Sequence, residues 1–174
     1  MSAPGATRLE SFIVRLQAQR ACLDDAALRI ADRPGVVLEL GLGNGRTYDH
    51  LRKRLPDRAI FVFERQVSAH PQCVPDAEHL FSGDLADTLP LAAARFPAGA
   101  VFVHADLGTA DPQRNARLYT WLGPALEPVL ADEALLICDQ RLEHAAYHPM
   151  SLPEGVAAGR YFYYRYAGSG RTAG

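Results

Sequence analysis

The sequence Val36-Val-Leu-Glu-Leu-Gly-Leu-Gly-Asn-Gly-Arg-Thr47 decides the fold, together with the run Phe61-Val-Phe-Glu64 that follows it. Its first part, Val36 to Leu40, is short and almost wholly apolar, and Pro34-Gly35 precedes it. Such a run is typical of a strand that is buried on both faces of a parallel sheet. We therefore expect this strand to open the core of an α/β fold.

Three glycines at alternate positions, Gly41, Gly43 and Gly45, follow the predicted strand. Glycine adopts backbone angles that other residues avoid, and it lets a ligand approach the main chain closely. A helical pattern begins after them, and its first amides would point back towards a ligand on the turn. A second buried strand, Ala59 to Phe63, then ends in Glu64. An acidic residue about 20 positions after a glycine turn is where βαβ units bind ribose hydroxyls, so we predict a nucleoside-cofactor site.

The spacing of the glycines and one carboxylate distinguish between cofactors. The spacing is G-x-G-x-G rather than the dinucleotide G-x-G-x-x-G, and Arg46-Thr47 stands where a phosphate loop needs Lys-Ser or Lys-Thr. The segment Glu39–Gly45 resembles the E/D-x-G-x-G-x-G motif of class I S-adenosylmethionine-dependent methyltransferases. A carboxylate at the end of the first strand suits the α-amino group of that cofactor and repels a pyrophosphate. The structural alternative is a tight turn that only packs helix on strand.

Residues 43–50, Gly-Asn-Gly-Arg-Thr-Tyr-Asp-His, are similar to a small bacterial group of methyltransferases whose substrates are not established. The resemblance implies that the Glu39–Gly45 loop holds the methionine part of the cofactor and that Glu64 holds the ribose. It implies that Arg46 pairs with the methionine carboxylate, although a surface arginine at a helix start is an equally simple interpretation.

The segment Ser82-Gly83-Asp84-Leu85 resembles the end of the third strand in the same family, where an aspartate or the adjoining backbone meets the adenine amino group. By this resemblance Asp84 contacts adenine, with Ser82 and Leu85 beside the ring. Asp84 could instead cap the predicted helix from Ala86 to Phe96. The cofactor-binding residues implied in all are Glu39, Gly41, Leu42, Gly43, Asn44, Gly45, Arg46, Thr47, Glu64, Arg65, Gly83, Asp84, Leu85 and Asp106.

Asp106 is the predicted catalytic residue, because it follows the fourth strand, Ala100 to His104. Ligands of parallel sheets lie at the carboxyl ends of the strands, and the family usually places substrate contacts here. Asp106 would orient a nucleophile, remove its proton or hold a substrate amine. The alternative is that it caps the turn from Gly108 to Pro112. His104 lies within the strand pattern and is predicted to be a hydrogen-bonded core histidine.

The predicted architecture is a three-layer α/β/α, doubly wound, Rossmann-like sheet, mostly parallel, with an antiparallel C-terminal strand. We expect one domain, with a helical segment at 1–35, an α/β core at 36–166 and a mobile tail at 167–174. The helical segment is one long helix or two short ones broken near Arg20. The resemblance leads us to expect an abbreviated end after Gln140, since the family normally finishes with a helix and two strands.

Three further expectations concern the second half of the chain. The helix at 113–131 should be kinked or split at Gly123-Pro124 and at Pro128, with Trp121 in the core or at an interface. The aromatic strand Arg160–Tyr166 should expose side chains that favour a homo-oligomer. His144 and His148 would share a helix face and could join Asp106 and Asp139 in a metal site, but the pattern is incomplete and we expect no metal.

Composition bounds the function classes. The net charge of −2 offers no general attraction to nucleic acid or to an anionic membrane. The three cysteines are odd in number and lack metal-type spacing, which favours a reducing compartment, and no signal peptide or spanning segment is visible. Together with the resemblance to class I methyltransferases, these features lead us to expect a cytoplasmic methyltransferase that acts on a small molecule by in-line displacement. The alternatives are an NAD(P)-dependent oxidoreductase and a non-catalytic protein that binds adenosylmethionine or adenosylhomocysteine.

Overall fold

The computed structural model describes residues 5–168, which leaves residues 1–4 and most of the predicted mobile tail at 167–174 outside the described part. The elements in chain order are α1 (Arg8–Arg29), β1 (Val36–Leu40), α2 (Arg46–Arg54), β2 (Ile60–Glu64), β3 (Leu80–Ser82), α3 (Leu85–Arg95), β4 (Ala100–Ala105), α4 (Pro112–Leu126), β5 (Leu130–Cys138), β6 (Tyr147–Pro149) and β7 (Phe162–Tyr166). Two short 3₁₀ turns, Pro71–Cys73 and Ala77–His79, lie between β2 and β3.

One seven-stranded sheet forms the middle layer, in the order β3-β2-β1-β4-β5-β7-β6. Strands β1 to β5 pair in parallel, and β7 is antiparallel to both β5 and β6. Helices α1 and α2 pack on one face of the sheet, and α3 and α4 pack on the other. The predicted three-layer architecture with a mostly parallel sheet is confirmed.

Helix α1 is one continuous helix of 22 residues and begins with a capping box between Thr7 and Glu10. It is about 33 Å long, whereas the five residues of β1 span about 17 Å. All six buried residues of α1 lie at or after Ala18, so only its second half covers the sheet. The first half rises beyond the carboxyl ends of the strands, where Arg15 meets Asp106.

The guanidinium of Arg58 secures the other end of this helix. It donates to the carbonyl oxygens of Ile30 and Ala31, which end α1, and to those of Arg33 and Gly35, which lead into β1. One side chain therefore donates to four carbonyl groups at the end of a helix and in the turn that follows it. Because Arg58 precedes β2, this contact places the end of α1 at the amino ends of the strands.

The second half of the chain corrects two predictions. Helix α4 is not split at Gly123-Pro124 but continues to Leu126, since a proline in the last turn removes only one helical hydrogen bond. The chain after β5 contains no helix before residue 168 but does contain the extra short strand β6. Of the helix and two strands with which the family normally ends, the described part of this chain lacks the helix and keeps both strands.

Strand β7 lies between β5 and β6, so it is not the edge of the sheet. As a result its aromatic side chains pack inside their own chain: Tyr163, Tyr164 and Tyr166 are buried, as is Tyr161 just before the strand. The prediction that this strand exposes its aromatic residues is wrong. The oligomeric state itself stays a prediction, without the surface that suggested it. Within residues 5–168, no helix has both the length and the apolar character needed to cross a bilayer.

We predict that Arg58→Met lowers the free energy of unfolding by about 2 kcal/mol, because charged hydrogen bonds to several carbonyls are lost while the aliphatic part is kept. Urea denaturation followed by circular dichroism measures the change. Arg20→Met is the control, since Arg20 is exposed on α1. Equal stability of the two variants would show that Arg58 does not secure the junction.

Candidate active site

A cleft of about 610 Å³ opens at the carboxyl ends of β1, β2 and β4. Eight of the predicted site residues line it, namely Gly41, Gly43, Glu64, Arg65, Gly83, Asp84, Leu85 and Asp106. The remaining predicted residues, Glu39, Leu42, Asn44, Gly45, Arg46 and Thr47, do not line it. The cleft is completed by Phe63, Ala86, Asp87, Leu107, Arg114, Leu118 and Trp121, which were not predicted.

The three glycines of the turn all have positive φ, but they serve different purposes. A Cβ on Gly45 would lie 2.5 Å from the Cβ of Cys73, and one on Gly41 would lie 3.1 Å from Leu107. Both positions therefore allow close packing of the chain on itself. A Cβ on Gly43 would meet no atom within 4 Å, although Gly43 lines the cleft. This is the position where the main chain is open to a ligand.

The carboxylate of Glu64 lies against this turn. Its Oε2 accepts hydrogen bonds from the amides of Leu42, at 2.9 Å, and Gly43, at 3.1 Å, and its Oε1 accepts one from Gln66. Oε1 therefore retains acceptor capacity for a hydroxyl group of a ribose in the cleft. The carboxylate also takes up the amide hydrogen bonds that a pyrophosphate would need, and its negative charge would repel one. Both effects weigh against a dinucleotide cofactor.

Glu39 lies beneath the turn and is fully buried. One of its oxygens accepts from the hydroxyl of Thr47, and the other lies 2.9 Å from Nδ1 of His104. His104 is also fully buried, so the prediction of a hydrogen-bonded core histidine is confirmed. The predicted contact of Glu39 with the cofactor ammonium group is not supported by this position, because a side chain sealed beneath the turn supports the loop from below.

Asp106 lies at the edge of the cleft and bonds to three side chains. Arg15 donates to its two oxygens at 2.6 and 2.8 Å, Gln19 donates at 2.9 Å, and the hydroxyl of Tyr161 lies 3.3 Å away. None of these partners belongs to the turn after β4, so the alternative of a turn cap is wrong. The turn is held instead by Asp139, which accepts from the amides of residues 107 and 108.

The third-strand residues lie at the far end of the cleft. Asp84 occupies the N-cap position of α3, but its side chain makes no capping hydrogen bond and is 65% exposed. Its nearest charged partner is Arg65, at 3.7 Å. The carboxylate is therefore available to a ligand, as adenine contact requires.

Helix α4 supplies the opposite wall through Arg114, Leu118 and Trp121. Trp121 is 38% exposed, so it does not lie in the core, whereas the alternative of an interface stays a prediction. The three residues recur at spacings of four and three, which puts them on one helical face. That spacing was visible in the sequence, but it looked like a core stripe, and only the packing of α4 beside the cleft separates the two interpretations.

The possible metal site is not assembled. His144 lies in the loop after β5 and pairs with Glu127 at 3.4 Å, and His148 is exposed on β6 rather than on a helix. Asp106 and Asp139 are engaged by the contacts described above. In the part of the chain that the structure describes, no three His, Cys, Asp or Glu side chains form a cluster suited to a metal ion.

We predict that Gly45→Ala destabilises the protein by about 3 kcal/mol, because the new methyl group overlaps Cys73 and the residue keeps a positive φ. Gly43→Ala should cost about 1 kcal/mol from backbone strain alone, yet it should weaken adenosylhomocysteine binding at least tenfold. Thermal unfolding and calorimetric titration measure the two effects. If Gly43→Ala cost more stability than Gly45→Ala but left adenosylhomocysteine binding unchanged, Gly43 would not be the position where the main chain is open to a ligand.

We also predict a pH dependence from His104. Burial by itself lowers the pKa of His104, but the carboxylates of Glu39, Asp106 and Asp139 together raise it by more, so the net shift is upward. A raised folded-state pKa gives stability that is complete below the unfolded value of about 6.5 and is lost as the pH rises through the folded value. The stability advantage of the wild type over His104→Gln should therefore fall with rising pH. Urea denaturation of both proteins at a series of pH values from about 6.5 upwards measures this difference in stability. A wild-type advantage that grows with pH would contradict the upward shift of the His104 pKa.

Comparisons with known proteins identify the family of this chain. A sequence model of the family described as S-adenosyl-L-methionine methyltransferase matches residues 6–166. A crystal structure of an S-adenosyl-L-methionine methyl transferase from Silicibacter pomeroyi DSS-3 is 43% identical, with 93% of this chain and 99% of that chain covered and a TM-score of 0.88. No curated protein matches the chain.

More distant structures share the fold. Human methyltransferase-like protein 13, in complex with SAH, has a TM-score of 0.57 at 12% identity, covering 93% of this chain and 85% of its own. The antibiotic-resistance methyltransferase Kmr has a TM-score of 0.52 at 13% identity, covering 96% of each chain. These likenesses show the fold alone, whereas the family match and the 43% identical structure show the relationship. The chain belongs to the S-adenosyl-L-methionine methyltransferase family, and its cofactor is S-adenosyl-L-methionine.

Proposed function

We propose that the enzyme transfers the methyl group to a small molecule that enters the cleft beside Asp106. The observation that carries this proposal is the arrangement of Asp106, Gly43 and Glu64 around one cavity. The backbone of Asp106 also packs against Gly41 of the glycine turn, within 3.3 Å of the position of an added Cβ. A group held at Asp106 would therefore lie close to a cofactor held on the turn.

The residues fit the parts of the cofactor. Glu64 offers an acceptor to a ribose hydroxyl, and Asp84 offers one to the adenine amino group. Leu118 and Trp121 provide an apolar wall for the adenine ring. The open backbone at Gly43 leaves room for the methionine part.

S-adenosylmethionine supplies a methyl group on a positively charged sulfur, which an acceptor lone pair displaces to leave a neutral thioether. The protein mainly has to hold the acceptor in line with the departing sulfur and keep water out. No triad of catalytic side chains is required for this reaction. The same demand for alignment applies whether the acceptor atom is oxygen, nitrogen or sulfur.

Asp106 is the proposed acceptor-orienting residue. Both of its oxygens already accept hydrogen bonds from Arg15, which restricts the movement of the carboxylate. A carboxylate held in this way is well placed to accept a further hydrogen bond from a hydroxyl or ammonium group on the acceptor. Of its three predicted roles, orienting or holding the acceptor fits these contacts best.

The size and charge of the molecule support a small acceptor. The cleft volume of about 610 Å³ falls in the usual range of small-molecule sites, roughly 300–1,000 Å³. The net charge of −2 provides no general attraction to a nucleic acid. We also propose that the enzyme works in the cytoplasm, on the basis of its three unpaired cysteines.

We predict that Glu64→Gln weakens binding of S-adenosylmethionine and adenosylhomocysteine at least tenfold, because a neutral amide offers fewer acceptors to the ribose. Calorimetric titration measures both affinities, and Glu78→Gln, on an exposed acid outside the cleft, serves as the control. NADH should not bind the wild type. Equal affinities in the two variants would remove Glu64 from the cofactor site, and a screen of small hydroxyl, amine and thiol acceptors that yields no methylated product would overturn the proposed acceptor class.

A further inference from the structure

We infer that Gln19 and His104 are positioning residues that set the orientation of Asp106 through a directional chain of hydrogen bonds. The chain runs from Asp106 through Gln19 and His104 to Glu39 and ends at Thr47. It connects the first turn of α2, directly after the glycine turn, with the acceptor side of the cleft. The inference rests on the proposed role of Asp106.

Which atoms donate and which accept along the chain can be assigned from Asp106. Its pairing with Arg15 at 2.6 Å identifies it as an ionised carboxylate, which can only accept hydrogen bonds. The side-chain atom of Gln19 that lies 2.9 Å away must therefore be the amide nitrogen. This contact orients the amide, because its oxygen cannot take that place without facing a second acceptor.

The same nitrogen of Gln19 lies 3.5 Å from Nε2 of His104. Two nitrogen atoms can share a hydrogen bond only if one of them carries no proton. The amide nitrogen always carries two, so Nε2 of His104 must be the acceptor. The proton of the neutral ring then lies on Nδ1, which donates to Glu39 at 2.9 Å. Asp106 thereby determines the tautomer of a histidine that it does not touch.

A second proton on His104 would break this arrangement. Its Nε2–H would face the N–H groups of Gln19, so the amide would have to turn its oxygen towards the ring. Gln19 would then no longer donate to Asp106. The carboxylate would keep Arg15 and Tyr161 as partners but would lose the bond that comes from the sheet side of α1.

The surroundings of His104 bear on this conflict. The ring is fully buried, and Tyr161 stacks on it at 6.5 Å between ring centroids. The carboxylates of Glu39, Asp106 and Asp139 all favour the protonated ring, which burial opposes, and the pKa of His104 is raised overall. Gain or loss of the second proton on His104 would therefore change the hydrogen bonds that reach Asp106.

Nuclear magnetic resonance of protein labelled with ¹⁵N in histidine and ¹³C in aspartate carboxyl groups tests the chain directly. In wild-type protein saturated with adenosylhomocysteine, His104 should carry its proton on Nδ1 at the alkaline end of a titration from about pH 5 to about pH 9. The carboxyl signal of Asp106 should move with the same midpoint as His104. In Gln19→Leu the Asp106 signal should no longer follow His104.

A second variant, Gln19→Glu, places a carboxylate beside Nε2 and should keep His104 doubly protonated to higher pH. Gln17→Leu is the matched control on the exposed side of α1 and should leave both signals unchanged. The inference is overturned if the neutral ring of His104 carries its proton on Nε2, if the Asp106 signal does not follow His104 in the wild type, or if it follows His104 equally well in Gln19→Leu. Calorimetry on the same samples separates these outcomes from a failure of the proposed function, which would appear as absent adenosylhomocysteine binding by the wild type.

Discussion

The buried pair of Glu39 and His104 is the interaction on which the rest of the site depends. Both side chains are fully buried, at facing register positions of two adjacent parallel strands. Burying a carboxylate is costly unless its oxygens are hydrogen-bonded, and here both are. This requirement fixes the register of β1 against β4. It also places Thr47 of α2 and Gln19 of α1 close to the pair, so one buried carboxylate aligns two strands and two helices.

The length of α1 allows this helix to reach from the buried Glu39–His104 pair to the cleft. Because the helix is about twice as long as the strands it covers, its first half extends past the sheet and carries Arg15 to Asp106. Arg58 holds the opposite end of α1 at the amino ends of the strands. The position of the acceptor-side carboxylate thus follows from a helix that is secured at one end and buried in the middle.

The glycine turn has to pack closely against neighbouring segments of the chain and also leave its main chain open to the cleft, and glycine permits both. Gly41 and Gly45 permit the chain to pack on itself, and Gly43 leaves the main chain open to the cleft. Glu64 links these demands, because its carboxylate supports the turn through two amides and also faces the cofactor space. A negative charge at this point is compatible with a cofactor that carries an ammonium group, and it disfavours a pyrophosphate.

The sequence by itself determined the order and type of the central elements, because buried parallel strands, a glycine turn and an acidic strand end are local patterns. It therefore located eight residues that line the cleft, including Glu64 and Asp84. Only the tertiary structure decided which partners each side chain meets. Glu39 proved to be sealed beneath the turn and Trp121 to line the cleft, since burial depends on how distant elements pack. The pairing of Asp106 with Arg15, 91 positions earlier in the chain, has no local signal, because contacts between distant segments form only when the helix and the sheet come together.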